Sequence, residues 1–300
     1  MLGRALLGLC LLALGCDGGA AGDAAGAGGA AGGSAACSND AGPGSVCVQQ
    51  VTGRTVDASG QALAKLSTSV CGSVCWFGES DATGAFSVSI GERIVPSQFS
   101  VLTHGRPSHT SFYFPLPESP APSVDMGELT LLALPPSGPE LVVWSDKQGA
   151  PAQTVTSGGL TLELTAGTQI KLDVEDVALG NAGKQFRVTP IPAALQARFA
   201  PPALGLLALW ALGPFEAAII LEAGGASALA RISSADVLGL APGTPVEWLA
   251  LGSYLFSDWV APATFGVVAT GQVSPDGLRI EMNAGEGTRY LTWIGVRKKP

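Results

Sequence analysis

Polar and apolar residues alternate along several short stretches of this chain, and alternation with a period of two predicts β-strands. After a turn at residues 81–84, Phe86, Val88 and Ile90 fall on one face of such a strand, so we expect them in a core. Residues 160–164 alternate in the same way and end before another glycine turn. The repeated pattern predicts an all-β fold.

A proline-rich break at residues 135–139 divides these stretches into two groups, and a new strand is predicted at residues 140–144. We expect one β-sandwich domain over residues 46–135, the N-terminal region, and a second over residues 136–300, the C-terminal region. The 41 glycines and 21 prolines favour frequent turns over long helices. Asp276-Gly277 predicts a hairpin, because both turn positions tolerate a positive φ.

The longest apolar stretch covers residues 202–221 and raises the alternative of a membrane span. Gly205, Gly213-Pro214 and Glu216 interrupt it, so no clean apolar segment of about 20 residues remains. We therefore expect two buried strands joined at Gly213-Pro214.

Composition and charge exclude several classes of function. Hydrophobic residues make up 47% of the 300-residue chain, which is enough for a core and excludes disorder of the whole chain. The formal net charge is −8 and no basic stripe occurs, so we expect no nucleic-acid partner. The chain lacks a Gly-x-Ser-x-Gly elbow, a His-Glu-x-x-His zinc helix and a phosphate-binding loop. We therefore expect no enzymatic activity, no cofactor and no metal.

The N-terminal residues have the layout of an export signal. Arg4 is followed by ten uncharged residues, 5–14, which are too few for a permanent membrane span. Because Gly15-Cys16 follows, the segment resembles a bacterial lipoprotein signal, in which the cysteine is lipidated and becomes the new N-terminus. The resemblance implies a signal peptide over residues 1–15 and a lipid anchor on Cys16, at the bacterial outer membrane or cell surface. The alternative is an ordinary secretory signal cut elsewhere, with Cys16 incidental.

Residues 16–45 are predicted to be a flexible linker. Ala or Gly occupies 17 of the 20 positions from 17 to 36, which cannot build a core. A glycine-rich coil of this length spans on the order of 25 Å, so it would hold the folded body away from the lipid headgroups.

Four further cysteines predict two disulfides in an exported protein: Cys37, Cys47, Cys71 and Cys75. Three connectivities are open, and we favour Cys37 with Cys47 and Cys71 with Cys75. The second pair requires a turn at residues 72–73, because a straight strand would hold the two cysteines about 13 Å apart. A zinc site is the alternative, but the chain has two histidines and its cysteine spacings fit no usual zinc module.

A characteristic order of turn and strand residues runs through the N-terminal region: Gly53, Val56, Asp57 and Gly60, then Asp81-Ala82-Thr83-Gly84-Ala85-Phe86-Ser87-Val88, then Met126-Gly127-Glu128-Leu129-Thr130-Leu131. This order resembles the carboxypeptidase regulatory-like domain, a small transthyretin-like β-sandwich. The resemblance implies an accessory module with a supporting or binding role and no chemistry of its own.

The C-terminal region shows a succession of strand and turn signals at residues 158–168, 185–190, 211–215, 240–248 and 271–280. The succession resembles the β-sandwich domain shared by ankyrins, netrin receptors and zonula occludens proteins. Some members of that group cut themselves at a His-Phe-Ser motif. No histidine follows His109 in this chain, so that chemistry is not available.

Aromatic clusters are the candidate binding surfaces. Phe112-Tyr113-Phe114 could line a ligand surface, but alternation directs Phe112 and Phe114 inward and Tyr113 outward, which favours a core role. A second set could form an exposed patch for a partner protein, although burial of at least two members in a strand is simpler: Tyr254, Phe256 and Trp259.

Asp173, Glu175 and Asp176, followed by Asn181, could ligate calcium. The cluster lacks the alternating oxygen ligands and the fixed glycine of an EF-hand loop, so we expect a solvated strand end instead. The two histidines, His104 and His109, are expected at the surface or in a turn.

These features predict a lipid-anchored cell-envelope protein with a non-catalytic binding or structural role. Its expected partners are the membrane, reached through the N-terminal lipid, and an envelope protein or glycan. The alternative is a surface hydrolase that acts on glycan or peptide between the two domains. Two carboxylates in a cleft there, or a histidine beside a serine, would favour the hydrolase.

Overall fold

The predicted alternation forms short strands along the chain. The computed structural model describes residues 37, 42–118, 120–144, 149–221 and 226–300. Within these residues the fold is all-β, which confirms the predicted fold class. Two short helices, Val174–Ala178 (α1) and Ala193–Gln196 (α2), and four 3-10 turns interrupt the strands: Pro96–Gln98, Gly180–Lys184, Pro202–Leu204 and Tyr254–Phe256.

The N-terminal region contains seven strands: Val46–Val56 (β1), Ser67–Cys71 (β2), Cys75–Glu79 (β3), Ala85–Ile94 (β4), Ser100–Thr103 (β5), Phe112–Pro115 (β6) and Ser123–Thr130 (β7). β1 lies between β4, which is antiparallel, and β7, which is parallel; the other sheet has the order β3-β2-β5-β6. Both sheets contribute to one core, in which Phe86, Val88 and Ile90 are buried as predicted.

The C-terminal region contains twelve described strands: Gln153–Ser157 (β8), Leu160–Leu164 (β9), Thr168–Lys171 (β10), Arg187–Pro190 (β11), Leu206–Gly213 (β12), Ala217–Leu221 (β13), Arg231–Ser234 (β14), Pro245–Leu251 (β15), Phe265–Val273 (β16), Ile280–Met282 (β17), Tyr290–Leu291 (β18) and Ile294–Lys298 (β19). Nine form a sheet in the order β11-β12-β19-β15-β16-β17-β14-β9-β8, and β10-β13-β18 form another. The two sheets enclose a second core, where Trp210 stacks on Trp248 with ring centroids 6.2 Å apart.

The apolar stretch and the Asp276-Gly277 turn of the C-terminal region can each be located in the structure. The apolar stretch at residues 202–221 forms β12 and β13, which are joined through Gly213-Pro214. No helix in the described ranges is long and apolar enough to cross a membrane. The turn at Asp276-Gly277 connects β16 to β17, and Gly277 adopts a φ of +71° there.

The two regions meet in a third core, called the shared core below. Its buried members are Leu102, Phe112, Tyr113 and Leu132 from the N-terminal region and Ile191, Phe199, Ala200, Leu209, Ala211, Phe215, Leu251 and Trp293 from the C-terminal region. Trp293 packs on Phe112 with ring centroids 4.6 Å apart, and its Nε1 donates to the Ser111 carbonyl at 2.7 Å. The described residues from 37 to 300 accordingly belong to one compact unit. The boundary between two domains at residues 135–136 stays a prediction.

Tyr113, which alternation directs outward from the N-terminal region, is not exposed to solvent. Its side chain is 1% exposed, because the C-terminal region covers the outer face of β6. The Tyr113 ring packs on Phe215 and Tyr254, with centroid distances of 5.9 and 5.3 Å. Phe112 is buried as expected, while Phe114 is only partly buried.

Two disulfides join Cys37 to Cys47 and Cys71 to Cys75, which confirms that the chain is disulfide-bonded. The second bridge spans the turn between β2 and β3, where the Gly72 amide donates to the Val74 carbonyl. The predicted signal peptide, Cys16 and most of the predicted linker lie outside the described residues.

We expect Trp293→Ala to lower the free energy of unfolding by about 3–5 kcal/mol, because it opens a cavity in the shared core. The matched control is Trp144→Ala, whose indole is 55% exposed and whose loss should change stability by about 0.5 kcal/mol or less. Urea denaturation of both variants measures the difference. Equal destabilisation by the two substitutions would show that the shared core contributes little.

Candidate functional site

A buried ion cluster lies where the two regions meet. Arg106, from the loop that follows β5, places Nη1 2.5 Å from the carboxylate of Asp173 and 3.5 Å from Asp176 Oδ2. Glu175 approaches the same nitrogen at 3.6 Å, and Arg106 Nη2 donates to the Phe215 carbonyl at 3.2 Å. The Arg106 side chain is 7% exposed. The guanidinium therefore links the N-terminal region to α1 and to the β12–β13 turn.

Local capping explains why three acids converge on one arginine. Asp173 is the N-cap of α1, and its carboxylate accepts the Asp176 amide at 2.9 Å. One turn of helix then places Asp176 on the inner face, where it is 2% exposed. The expectation of a solvated strand end is wrong, because the segment is helical and its charge partner lies 67 residues earlier in the chain.

Burial and the arginine set the ionisation of this cluster. Burial acts to lower the pKa of Arg106, but the neighbouring carboxylates hold this pKa above its ordinary value. Burial raises the pKa of Asp176 to about 7, against the opposing effect of Arg106. Burial, aided by Arg106, lowers the pKa of His104 to about 3. His104 Nδ1 lies 3.5 Å from Glu175 Oε2, but a neutral imidazole forms no ion pair with it.

A second arginine continues the same junction. Arg187, on β11, donates through Nη1 to the Pro107 carbonyl and through Nη2 to the Ala182 carbonyl, the latter at 3.1 Å. It therefore ties the Arg106 loop to the 3-10 turn that follows α1. Gly183 allows that turn to pack on α1, since a Cβ there would overlap the Asp176 carbonyl oxygen.

Glu216 forms a second buried polar centre, which the sequence patterns did not reveal. Its carboxylate accepts hydrogen bonds from the hydroxyls of Tyr113 and Ser253 and is 4% exposed as a residue. Burial raises the pKa of Glu216, and the two hydroxyl donors oppose the rise. A non-glycine residue rarely adopts the Glu216 φ of +63°, so these two donors fix a conformation that the β12–β13 turn requires.

The two histidines lie in different environments. His104 lies in the loop after β5, but its side chain is largely buried beside the ion cluster and not at the surface, whereas His109 is partly exposed. His109 Nδ1 lies 2.9 Å from the Ser108 hydroxyl. The carboxylate that acts on it electrostatically, Asp57, accepts three hydrogen bonds at Oδ1 from Ser59 and Gln61.

Hydrolases need particular placements of their acids and histidines. Glycoside cleavage needs two carboxylates on opposite sides of a substrate bond. Asp173 and Asp176 instead meet on one buried guanidinium. A catalytic triad needs a carboxylate that orients the histidine. Within the described ranges, no hydrogen bond joins His109 to a carboxylate, and no group of three or more potential ligand side chains is placed to hold a metal ion.

A groove beside Trp144, called the Trp144 groove below, is open to solvent and encloses about 260 Å³. The predicted strand at residues 140–144 forms only isolated bridges, yet it runs beside β10 and positions this groove. The Trp144 amide donates to the Ile170 carbonyl at 2.9 Å. The apolar walls are Val143, Ile170, Leu172 and Val177.

Two lysines also border the Trp144 groove. Lys171, the last residue of β10, places Nζ 6.0 Å from the centre of the Trp144 ring, which is the range of a cation–π contact. Lys184 lies at the end of the 3-10 turn, and its carbonyl accepts the Leu141 amide at 2.9 Å. Val177 belongs to α1, so one helix faces the ion cluster with Asp176 and the groove with Val177.

Tyr254, Phe256 and Trp259 do not form a free aromatic patch. They lie in and after a 3-10 turn rather than in a strand, and each is partly buried. Tyr254 packs on Tyr113, while Phe256 and Trp259 pack on Tyr290 with ring centroids 4.8 and 4.9 Å away.

Comparison with known proteins gives no assignment. No family model, no curated protein and no solved structure matches this chain.

Substitutions of Asp176 and His104 should change the pH dependence of the free energy of unfolding in opposite directions. Protonated Asp176 stabilises the fold fully below about pH 4, and this contribution is lost as the pH rises to about 7. Neutral His104 stabilises the fold fully above about pH 6.5, and this contribution is lost as the pH falls to about 3. Between pH 4 and 6.5, Asp176→Asn should therefore make the free energy of unfolding rise more steeply with pH than in the wild type.

His104→Gln should do the opposite over the same range and make that free energy fall with pH relative to the wild type. Each difference is at most about 1.4 kcal/mol per pH unit, the value for one proton. Urea denaturation at a series of pH values measures both slopes. Profiles parallel to that of the wild type would contradict the assigned ionisation.

Proposed function

We propose that this protein is a lipid-anchored component of the bacterial cell envelope that binds a ligand without transforming it. The observation that carries the proposal is a contrast between two sites. The charged groups where the regions meet are buried and hold one another, whereas the Trp144 groove is open and apolar. An open apolar groove with a few polar groups is the usual form of a binding site.

The disulfides support an extracytoplasmic location for the folded body. Disulfides persist in oxidising compartments, which include the bacterial periplasm and the cell surface. Cys37 and Cys47 bridge the start of β1, where the linker of residues 16–45 ends. A tether from Cys16 would therefore lead directly into the first sheet.

The N-terminal region would act as a support in this proposal. This role agrees with its resemblance to the carboxypeptidase regulatory-like domain, whose members are accessory modules. Phe112 and Tyr113 belong to its densest aromatic cluster and are buried against the C-terminal region. Their surface therefore attaches the N-terminal region to the C-terminal region. Binding would belong to the C-terminal region, the module similar to that of ankyrins and netrin receptors.

A surface hydrolase is the second candidate, and the Ser108–His109 contact is the observation in its favour. In serine hydrolases a carboxylate holds the histidine in the productive tautomer, and its loss lowers the rate by about 10⁴-fold. Asp57, the nearby acid, is occupied by Ser59 and Gln61. Binding without catalysis is therefore the function that we favour.

The anchor is tested by intact-mass measurement and membrane fractionation in a bacterial host that has the lipoprotein pathway. We expect the wild type to carry a lipid-sized mass increment and to sediment with membranes, and Cys16→Ala to lose both properties. The matched control is Cys10→Ala, which removes the other cysteine of the N-terminal segment and should leave lipidation unchanged. An unmodified, soluble wild type would contradict the anchor.

A further inference from the structure

The lining of the Trp144 groove favours apolar ligands. Val143 and Ile170 are buried beneath the groove, Leu172 is partly exposed, and Trp144, which is 55% exposed as a residue, adds a flat aromatic face. Val177, on the α1 side, is 62% exposed.

The size of the groove limits the ligand. A cavity of about 150 Å³ holds a benzene molecule. The groove encloses about 260 Å³ and is open on one side. The groove can therefore accept an apolar ligand of roughly eight to ten carbon atoms whose polar end reaches solvent.

Charge at the groove favours an anionic end. The protein has six lysines and a net charge of −8, and one of those lysines, Lys171, places its ammonium group beside the Trp144 ring at this groove. None of the described residues that line it carries a carboxylate. An ammonium group forms stronger hydrogen bonds with an anion than with a neutral acceptor.

The lining also disfavours a sugar. Sugars need several hydrogen-bond partners, and the described part of the lining offers no hydroxyl, amide or carboxyl side chain. From these features the geometry points to a binding site for a small apolar carboxylate, with its chain against Trp144 and Val177 and its carboxylate at Lys171. This inference rests on the proposed binding role and names its ligand class.

Octanoate is the probe, and isothermal titration calorimetry on the full chain carrying Cys16→Ala is the measurement. This background removes any covalent acyl chain that could compete for the groove. We expect octanoate to bind at least about fivefold more tightly than octan-1-ol, which has the same chain without the charge, because one charge-assisted hydrogen bond contributes about that factor. Octylammonium should not bind.

Variants in that background assign the binding to the groove. Lys171→Met should weaken octanoate binding about five- to tenfold and leave octan-1-ol binding unchanged, because the side chain keeps its length and loses its charge. Trp144→Ala should weaken the binding of both compounds. Lys298→Met, the same change at an exposed lysine on β19, is the matched control and should weaken neither.

Three outcomes would overturn the inference: no octanoate binding, equal binding of octanoate and octan-1-ol, or equal effects of Lys171→Met and Lys298→Met. Binding to phosphatidylcholine vesicles that depends on Trp144, without octanoate binding, would identify a membrane contact and also overturn it. None of these results would alter lipidation at Cys16. Failure of the ligand assignment is therefore distinguishable from failure of the proposed anchor.

Discussion

Burial of the Arg106 guanidinium is the constraint on which the junction of the two regions depends. A buried charge is tolerated only when opposite charges and hydrogen-bond acceptors surround it. Asp173, Asp176 and the Phe215 carbonyl supply them, and all three belong to the C-terminal region. The loop of the N-terminal region and α1 must therefore form together. The shared core around Trp293 adds a large apolar contact to the same junction.

The junction also explains where ligand chemistry can occur. The acids of α1 are occupied on its inner side by Arg106, so they are not available to polarise a substrate. The outer side of the same helix carries Val177 and borders the Trp144 groove. A fixed helix gives the groove a rigid wall, and rigid walls favour binding because little conformational entropy is lost. The ion cluster and the groove proposed to bind a ligand thus lie on opposite faces of one short element.

Patterns local in sequence predicted the parts of the fold that depend on local rules. Alternation placed Phe86, Val88 and Ile90 in a core, and the disulfide-bonded turn between Cys71 and Cys75 follows from chain reach. Contacts between distant residues were not predictable in this way. Tyr113 is buried by a turn about 100 residues later, and the acids of α1 are neutralised by an arginine 67 residues earlier. The groove has the same origin, since Trp144, Lys171 and Lys184 come from separate segments.

We infer that this junction makes the described part of the chain one cooperative unit. Hydrogen exchange followed by mass spectrometry across a urea series tests it, with disulfides intact. The slowest amides of β1 and β4 in one region, and of β15 and β19 in the other, should lose protection at the same urea concentration. If one pair lost protection at a clearly lower concentration than the other, the regions would unfold independently and the claim would be contradicted.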